Sequence, residues 1–147
     1  MKKTILVIAI LLTAGMSVAF AKTPVKVSAK ILGSFKAEFG DIPVSRWKVQ
    51  GDITLANFLL NNSRVEAYFS ADGELLGTAR SILYHELPLP VTKQLNKSYE
   101  SAAVYEITEI VVKDEVSYRM IVETKSKKFS LLATPAGYVS VVKRLRK

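Results

Sequence analysis

The chain contains no cysteine. It can form no disulfide, offer no thiol nucleophile and supply no thiolate to a metal. A lipoprotein leader is excluded too, because the lipid is carried by a cysteine just after the cleavage site. Without cross-links, its stability has to come from a packed core. Histidine is nearly as scarce, with His85 standing alone. One histidine cannot make an H-x-x-x-H pair or a Cys-His set, so the usual zinc spacings are missing. Any Ser-His-Asp triad would have to be built on His85. Neither the G-x-G-x-x-G fingerprint nor a phosphate loop ending in Lys-Ser/Thr occurs. Beyond the first residues, no apolar run is long enough to span a bilayer.

Those first residues read as a targeting segment. Met1-Lys2-Lys3 is a basic start, and Thr4 to Ala14 is almost wholly apolar. Ala19-Phe20-Ala21 has the small-x-small form of a cleavage site, which sets the cut between Ala21 and Lys22. Gly15 and Ser17 interrupt the run, so a cleaved signal peptide over 1–21 is favoured over a membrane anchor. The remainder, residues 22–147, is one domain's worth of chain. It is long enough to bury roughly two thirds of its unfolded surface. The expected location is the bacterial periplasm or the exterior.

The formal net charge is +8. Much of the excess lies in two runs, Lys125-Lys127-Lys128 and Lys143-Arg144-Leu145-Arg146-Lys147. A basic exported protein meets acidic proteins, anionic lipid or surface sugars before nucleic acid, so no nucleic-acid partner is expected. A solvated face and a frayed end would explain the same charges.

Periodicity divides the rest into two similar halves. Val27, Ile31, Phe35 and Phe39 fall four apart and predict a helix entered from Thr23-Pro24. Four strand candidates follow: Val44–Val49, Ile53–Leu60, Arg64–Phe69 and Leu75–Tyr84. Their turns are Gly51-Asp52, Asn61-Asn62 and Asp72-Gly73. Leu87-Pro88-Leu89-Pro90 marks an internal boundary. Val91, Leu95 and Tyr99 then predict a second helix ending near Ser101. Val104–Val112, Val116–Thr124, Phe129–Thr134 and Tyr138–Leu145 complete a second meander, closed by Pro135-Ala136-Gly137. Helices and hairpins recur at a spacing of about sixty residues, the mark of a repeated supersecondary unit. The expectation is an α+β fold of two tandem helix-plus-meander repeats, about 24–86 and 87–147. They would share one antiparallel sheet of about eight strands, with both helices on one face. The other face is expected to be largely wet, since Ser117, Arg119 and Glu123 alternate with Tyr118, Met120 and Val122.

Candidate chemistry is sparse. Glu106 and Glu109 are an odd number of residues apart on a strand, so they should point to opposite faces and form no acid–base pair. Asp114 and Glu115 lie in a turn. No catalytic residue, cofactor site or metal site is expected. Surface recognition remains, and tyrosine and tryptophan suit it because they offer large, stiff area with a polar handle. Trp47 and Tyr118 have apolar neighbours two residues away and are assigned to the core. Tyr84, His85 and Tyr105 are the candidates for a partner surface.

The Trp47 strand, Val65-Glu66-Ala67-Tyr68-Phe69, Asp72-Gly73-Glu74-Leu75, Leu87-Pro88, the helix to Tyr99, Glu109, Tyr118 and the Gly137 hairpin together carry a resemblance. The chain resembles the PepSY-like, β-lactamase-inhibitor-like family of small exported bacterial proteins, over nearly all of residues 22–147. Pro135-Ala136-Gly137 departs from the Asp-Gly expected at the second hairpin. The resemblance implies tandem helix-plus-sheet units and non-enzymatic binding of a protein in the envelope or outside the cell. It also implies inhibition of an exported hydrolase, such as a peptidase or β-lactamase. It supplies no inhibitory loop. The alternative is a binder of a small ligand, or of anionic lipid or polysaccharide at the envelope surface. Nothing in the sequence sets the oligomeric state.

Overall fold

The computed structural model describes residues 25–146, so the signal-peptide assignment and the cleavage at Ala21/Lys22 lie outside the described residues. Among the described residues, two α-helices, α1 (Ala29–Phe39) and α2 (Leu89–Ser98), accompany eight strands. These are β1 (Val44–Gln50), β2 (Ile53–Leu60), β3 (Ser63–Ser70), β4 (Leu75–Ser81), β5 (Ala103–Val112), β6 (Glu115–Glu123), β7 (Lys128–Ala133) and β8 (Val139–Leu145). They form a single antiparallel sheet whose neighbours follow chain order, β1 through β8. The expected α+β class and strand number are what the structure shows. The chain divides into two compact units, one ending at Ala79 and one beginning at Arg80.

In the first unit, α1 starts later than its apolar spacing predicts. Ser28 is the cap, and its Oγ accepts from the Ile31 N–H at 3.3 Å. A serine hydroxyl satisfies a helix-start N–H that would otherwise lack a partner, so the helix begins there. Val27 is left outside the helix but still packs on the core. Phe35 is the hub of that core. Its ring lies 5.0 Å from Phe58, 5.2 Å from Phe39 and 5.5 Å from Trp47. The contacts with Phe58 and Trp47 are edge-on, as the ring quadrupoles favour. Trp47 is therefore a core-packing residue, as assigned from its neighbours.

The turns are set by backbone requirements. Asn61 and Asn62 both take positive φ between Leu60 and Ser63, as do Lys113 and Asp114 between Val112 and Glu115. Two consecutive positive φ values define the hairpin turn whose twist matches the strands it joins. The β3–β4 and β7–β8 hairpins share another design. Ser70 and Glu74 are bridged as Thr134 and Tyr138 are, with each N–H donating to the later carbonyl at 2.9 Å. Gly73 donates back to Ser70 O at 3.0 Å, and Gly137 to Thr134 O at 2.9 Å. The two hairpins are geometrically equivalent although only the glycine is common to their tips.

The core of the second unit is mostly aliphatic, with Tyr118 among its buried residues. Val91 and Leu95 of α2 pack on Ile107, Met120, Val122, Leu131 and Ala133. Burying each of these side chains larger than alanine stabilises the fold by roughly 1.5–3 kcal/mol. The helix ends at Ser98 rather than Ser101, with Tyr99 as its cap. Strand β4 stops at Ser81. Tyr84–Glu86 form a short 3₁₀ turn instead of continuing the strand. Glu86 closes that turn by accepting the Leu83 N–H on Oε2 at 2.7 Å.

The sheet faces turned away from the helices are less wet than expected. Tyr68 alternates with the core residues Ala67 and Phe69, so it points away from α1, yet it is only 1% exposed. Ile110 and Val112, away from α2, are also buried. Alternation predicted the side that Tyr118, Met120 and Val122 face, but not the burial on the opposite side.

Candidate functional site

The face of β5–β8 opposite α2 carries the most developed polar arrangement. Pairing places Tyr105, Ile121, Ser130 and Lys143 in one row across four strands. Glu123, Lys128 and Leu145 form the next row. Tyr105 donates its hydroxyl proton to Glu123 Oε2 at 2.7 Å. Lys128 Nζ stands 5.3 Å from the centre of the Tyr105 ring. The Tyr105 oxygen, followed by the charges of Glu123 and Glu106, holds the Lys128 ammonium above the usual lysine range. A ring pinned by a carboxylate at its hydroxyl and a cation on its face loses little further freedom on binding.

A bulge builds this site. Tyr105 pairs with Ile121 and Thr108 with Arg119, so three steps on β5 match two on β6. Glu106 takes φ +52° to absorb the extra residue. Glu106 and Glu109 form no pair, as expected: the Glu106 charge acts on Lys128, while Glu109 shares the α2 side with Tyr118. Glu109 sits opposite Tyr118 and accepts from Arg80 Nε and Nη2 at 3.2 and 3.1 Å. Tyr118 is buried, as assigned. Burial first, and then the Glu109 charge and hydrogen bond, raise its phenol above the ordinary tyrosine value.

The two basic runs, far apart in sequence, become neighbours. Lys128 pairs with Leu145, Phe129 with Arg144, and Ser130 with Lys143. With Lys125 and Lys127 in the preceding turn, one end of the β6–β8 meander gathers cations that the sequence shows only as separate patches. The pairing of the last two strands is the signal that joins them.

The sequence candidates do not converge on one surface. Tyr105 lies on the face away from α2. Tyr84 lies on the α2 side, where its hydroxyl donates to Asn96 Oδ1 at 3.2 Å. His85 is exposed in the 3₁₀ turn beside Tyr84. Tyr84 also borders an open cavity of about 360 Å³, together with Leu95, Asn96, Tyr99, Ser101, Ala102 and Val104. No cluster of three His, Asp or Glu among the described residues is arranged to hold a metal ion. No helix among them is long and apolar enough to cross a membrane.

The geometry defines an α+β fold of two helices and one eight-stranded antiparallel sheet, with a polar-aromatic patch on a sheet face. Comparison with solved structures finds the same fold. A DUF2874 family protein from Bacteroides uniformis is 16% identical with a TM-score of 0.72, over 82% of this chain and 89% of that one. A BLIP-like protein from Bacteroides fragilis is 20% identical, again at 0.72, over 84% and 89%. A protein from Bacteroides eggerthii, provisionally described as periplasmic, is 17% identical at 0.72, over 82% and 89%. At these identities the likeness concerns the fold. No protein-family model and no curated protein matches the chain.

Proposed function

We propose that this protein is a non-enzymatic, exported binding module that grips an acidic protein partner through the face of β5–β8 opposite α2. The observation that carries this reading is the locked Tyr105–Glu123–Lys128 group beside the gathered cations. A pre-ordered aromatic anchor with a charged rim is the usual make-up of an interface hot spot. Basic charge at the rim speeds encounter with an acidic partner and selects against basic ones. The BLIP-like description of the Bacteroides fragilis structure and the periplasmic description of the Bacteroides eggerthii one support binding in the cell envelope. Inhibition of an exported hydrolase, a peptidase or β-lactamase, is the specific form proposed.

The test is affinity capture from a periplasmic extract, using the protein and its Tyr105→Ala and Lys143→Glu variants. Wild-type protein should retain a partner that both variants release, and retention should fall as salt rises. Equal capture by all three, or none above background at several ionic strengths, would remove the proposal. The gathered cations also favour a second reading, in which that end contacts anionic lipid or polysaccharide. Salt-sensitive sedimentation with vesicles rich in anionic lipid, in a protein deaf to Tyr105→Ala, is the result that would favour it.

A further inference from the structure

The cavity beside α2 belongs to a different face from Tyr105, and its walls have a distinct chemistry. Three local devices build it. The 3₁₀ turn holding Tyr84 is fixed by Glu86, which takes the Leu83 N–H at 2.7 Å and approaches Arg80 Nη1 at 3.6 Å. The end of α2 is fixed by the Tyr99 N–H to Leu95 O bond at 2.8 Å. The chain then reverses through Ser101, which takes φ +60°, and the Ala102 N–H donates to Tyr99 O at 3.1 Å. A non-glycine residue at positive φ carries strain, and such residues gather at binding sites.

The lining is apolar on one side and neutral-polar on the other. Ala102 and Val104 supply apolar surface over the buried Leu95, and Tyr84 and Tyr99 supply two aromatic rings. Asn96 Oδ1 is taken by the Tyr84 hydroxyl, which leaves the Asn96 amide protons and the Tyr84 oxygen lone pairs for a ligand. The lining contains no charged side chain. A charged ligand would lose water there without gaining a counter-ion. A wholly apolar ligand would strip water from Asn96 and Tyr84 and return no hydrogen bond. The remaining class has a C–H face for a ring and neutral hydroxyls for an amide and a phenol. The volume of about 360 Å³ lies within the usual range of small-ligand sites and has room for a sugar ring.

We infer that this cavity binds a neutral saccharide, with a tyrosine ring against the sugar's C–H face and the Tyr84–Asn96 pair reading its hydroxyls. The inference is independent of the protein-binding face, because Tyr105 points to the opposite side of β5.

Amide chemical-shift titration with maltose, cellobiose, lactose and chitobiose tests it. At least one disaccharide should give saturable shifts, in the millimolar range, confined to amides between Tyr84 and Val104. Asn96→Ala, an exposed change that leaves the core intact, should weaken binding about tenfold, the size of a lost hydrogen bond. Tyr84→Phe keeps the ring and should weaken it less than Tyr84→Ala. Tyr105→Ala should leave it unchanged. The inference fails if no disaccharide gives saturable shifts, if shifts map elsewhere, or if a uronic-acid disaccharide binds more tightly. It fails equally if natively folded Asn96→Ala binds like the wild type.

Discussion

Gly137 is pressed against Pro90: a Cβ on the glycine would lie 2.8 Å from the Pro90 carbonyl oxygen. The hairpin that ends the sheet is thereby seated on the first turn of α2. Gly73 holds the matching position on α1, where a Cβ would lie 3.0 Å from Ser34 Oγ and 3.3 Å from Lys30 O. Both glycines also take positive φ, +89° and +83°. The duplication is thus expressed as one contact made twice, hairpin tip on helix.

Alanine substitutions at three glycines should separate backbone strain from this contact. Gly51 takes φ +59° with nothing near a prospective Cβ, so Gly51→Ala should cost only the strain, about 1–2 kcal/mol. Gly73→Ala should cost more, because a Ser34 hydroxyl has to move. Gly137→Ala should cost most, because the obstacle is backbone. Urea unfolding of the three variants checks the order, and equal losses would show that the contact adds nothing.

Tyr118 should make stability fall at high pH. Its phenol is raised by burial and then by Glu109, so the folded state holds its proton where the unfolded chain has lost it. The contribution is complete below the ordinary tyrosine value of about 10 and is lost as pH rises from there through the folded value. Ultraviolet titration of the wild type against Tyr118→Phe should assign to Tyr118 an ionisation above the ordinary tyrosine value. Glu109→Gln should bring it down only in part, since burial remains.

Lys128 should be a poor nucleophile for a surface lysine. With its ammonium favoured by Tyr105, less free amine is present at mildly alkaline pH. Acylation followed by mass spectrometry should label exposed Lys93 faster than Lys128. Tyr105→Leu should close that gap while leaving Lys93 unchanged.

The Lys113-Asp114 turn uses residues poorly suited to its backbone, at φ +49° and +65°. Asp114→Gly should stabilise the β5–β6 hairpin by about 0.5–1 kcal/mol, read as a higher urea midpoint with unchanged slope.

Much of the architecture was legible because it depends on local patterns. Ile31–Phe35 and Val91–Leu95 predicted the two helix faces, and turn residues predicted the hairpins at Gly51, Asn61-Asn62, Gly73 and Gly137. Boundaries were less legible where one contact decided them. The Ser28 cap moved the start of α1, and the Glu86 closure turned the end of a predicted strand into a 3₁₀ turn. The candidate site was legible only in pieces. Tyr84 and Tyr105 were both singled out, but the chain carries them to opposite sides of β5. Asn96 and Tyr99, which give the cavity its character, looked like ordinary helix residues.

The sequence by itself determined the class of object: no thiol or paired-histidine chemistry, two helices, two meanders and a repeated glycine hairpin. These follow from composition and from periods of a few residues, which local sterics and solvation impose. Only the tertiary structure decided where the chemistry gathers. The Tyr105–Glu123–Lys128 group needs the register of three strands and a bulge at Glu106. The basic end needs β8 paired to β7. The seating of Gly137 on Pro90 needs a helix and a hairpin more than forty residues apart. Contacts between distant segments are set by packing and register, which the side-chain period alone does not specify.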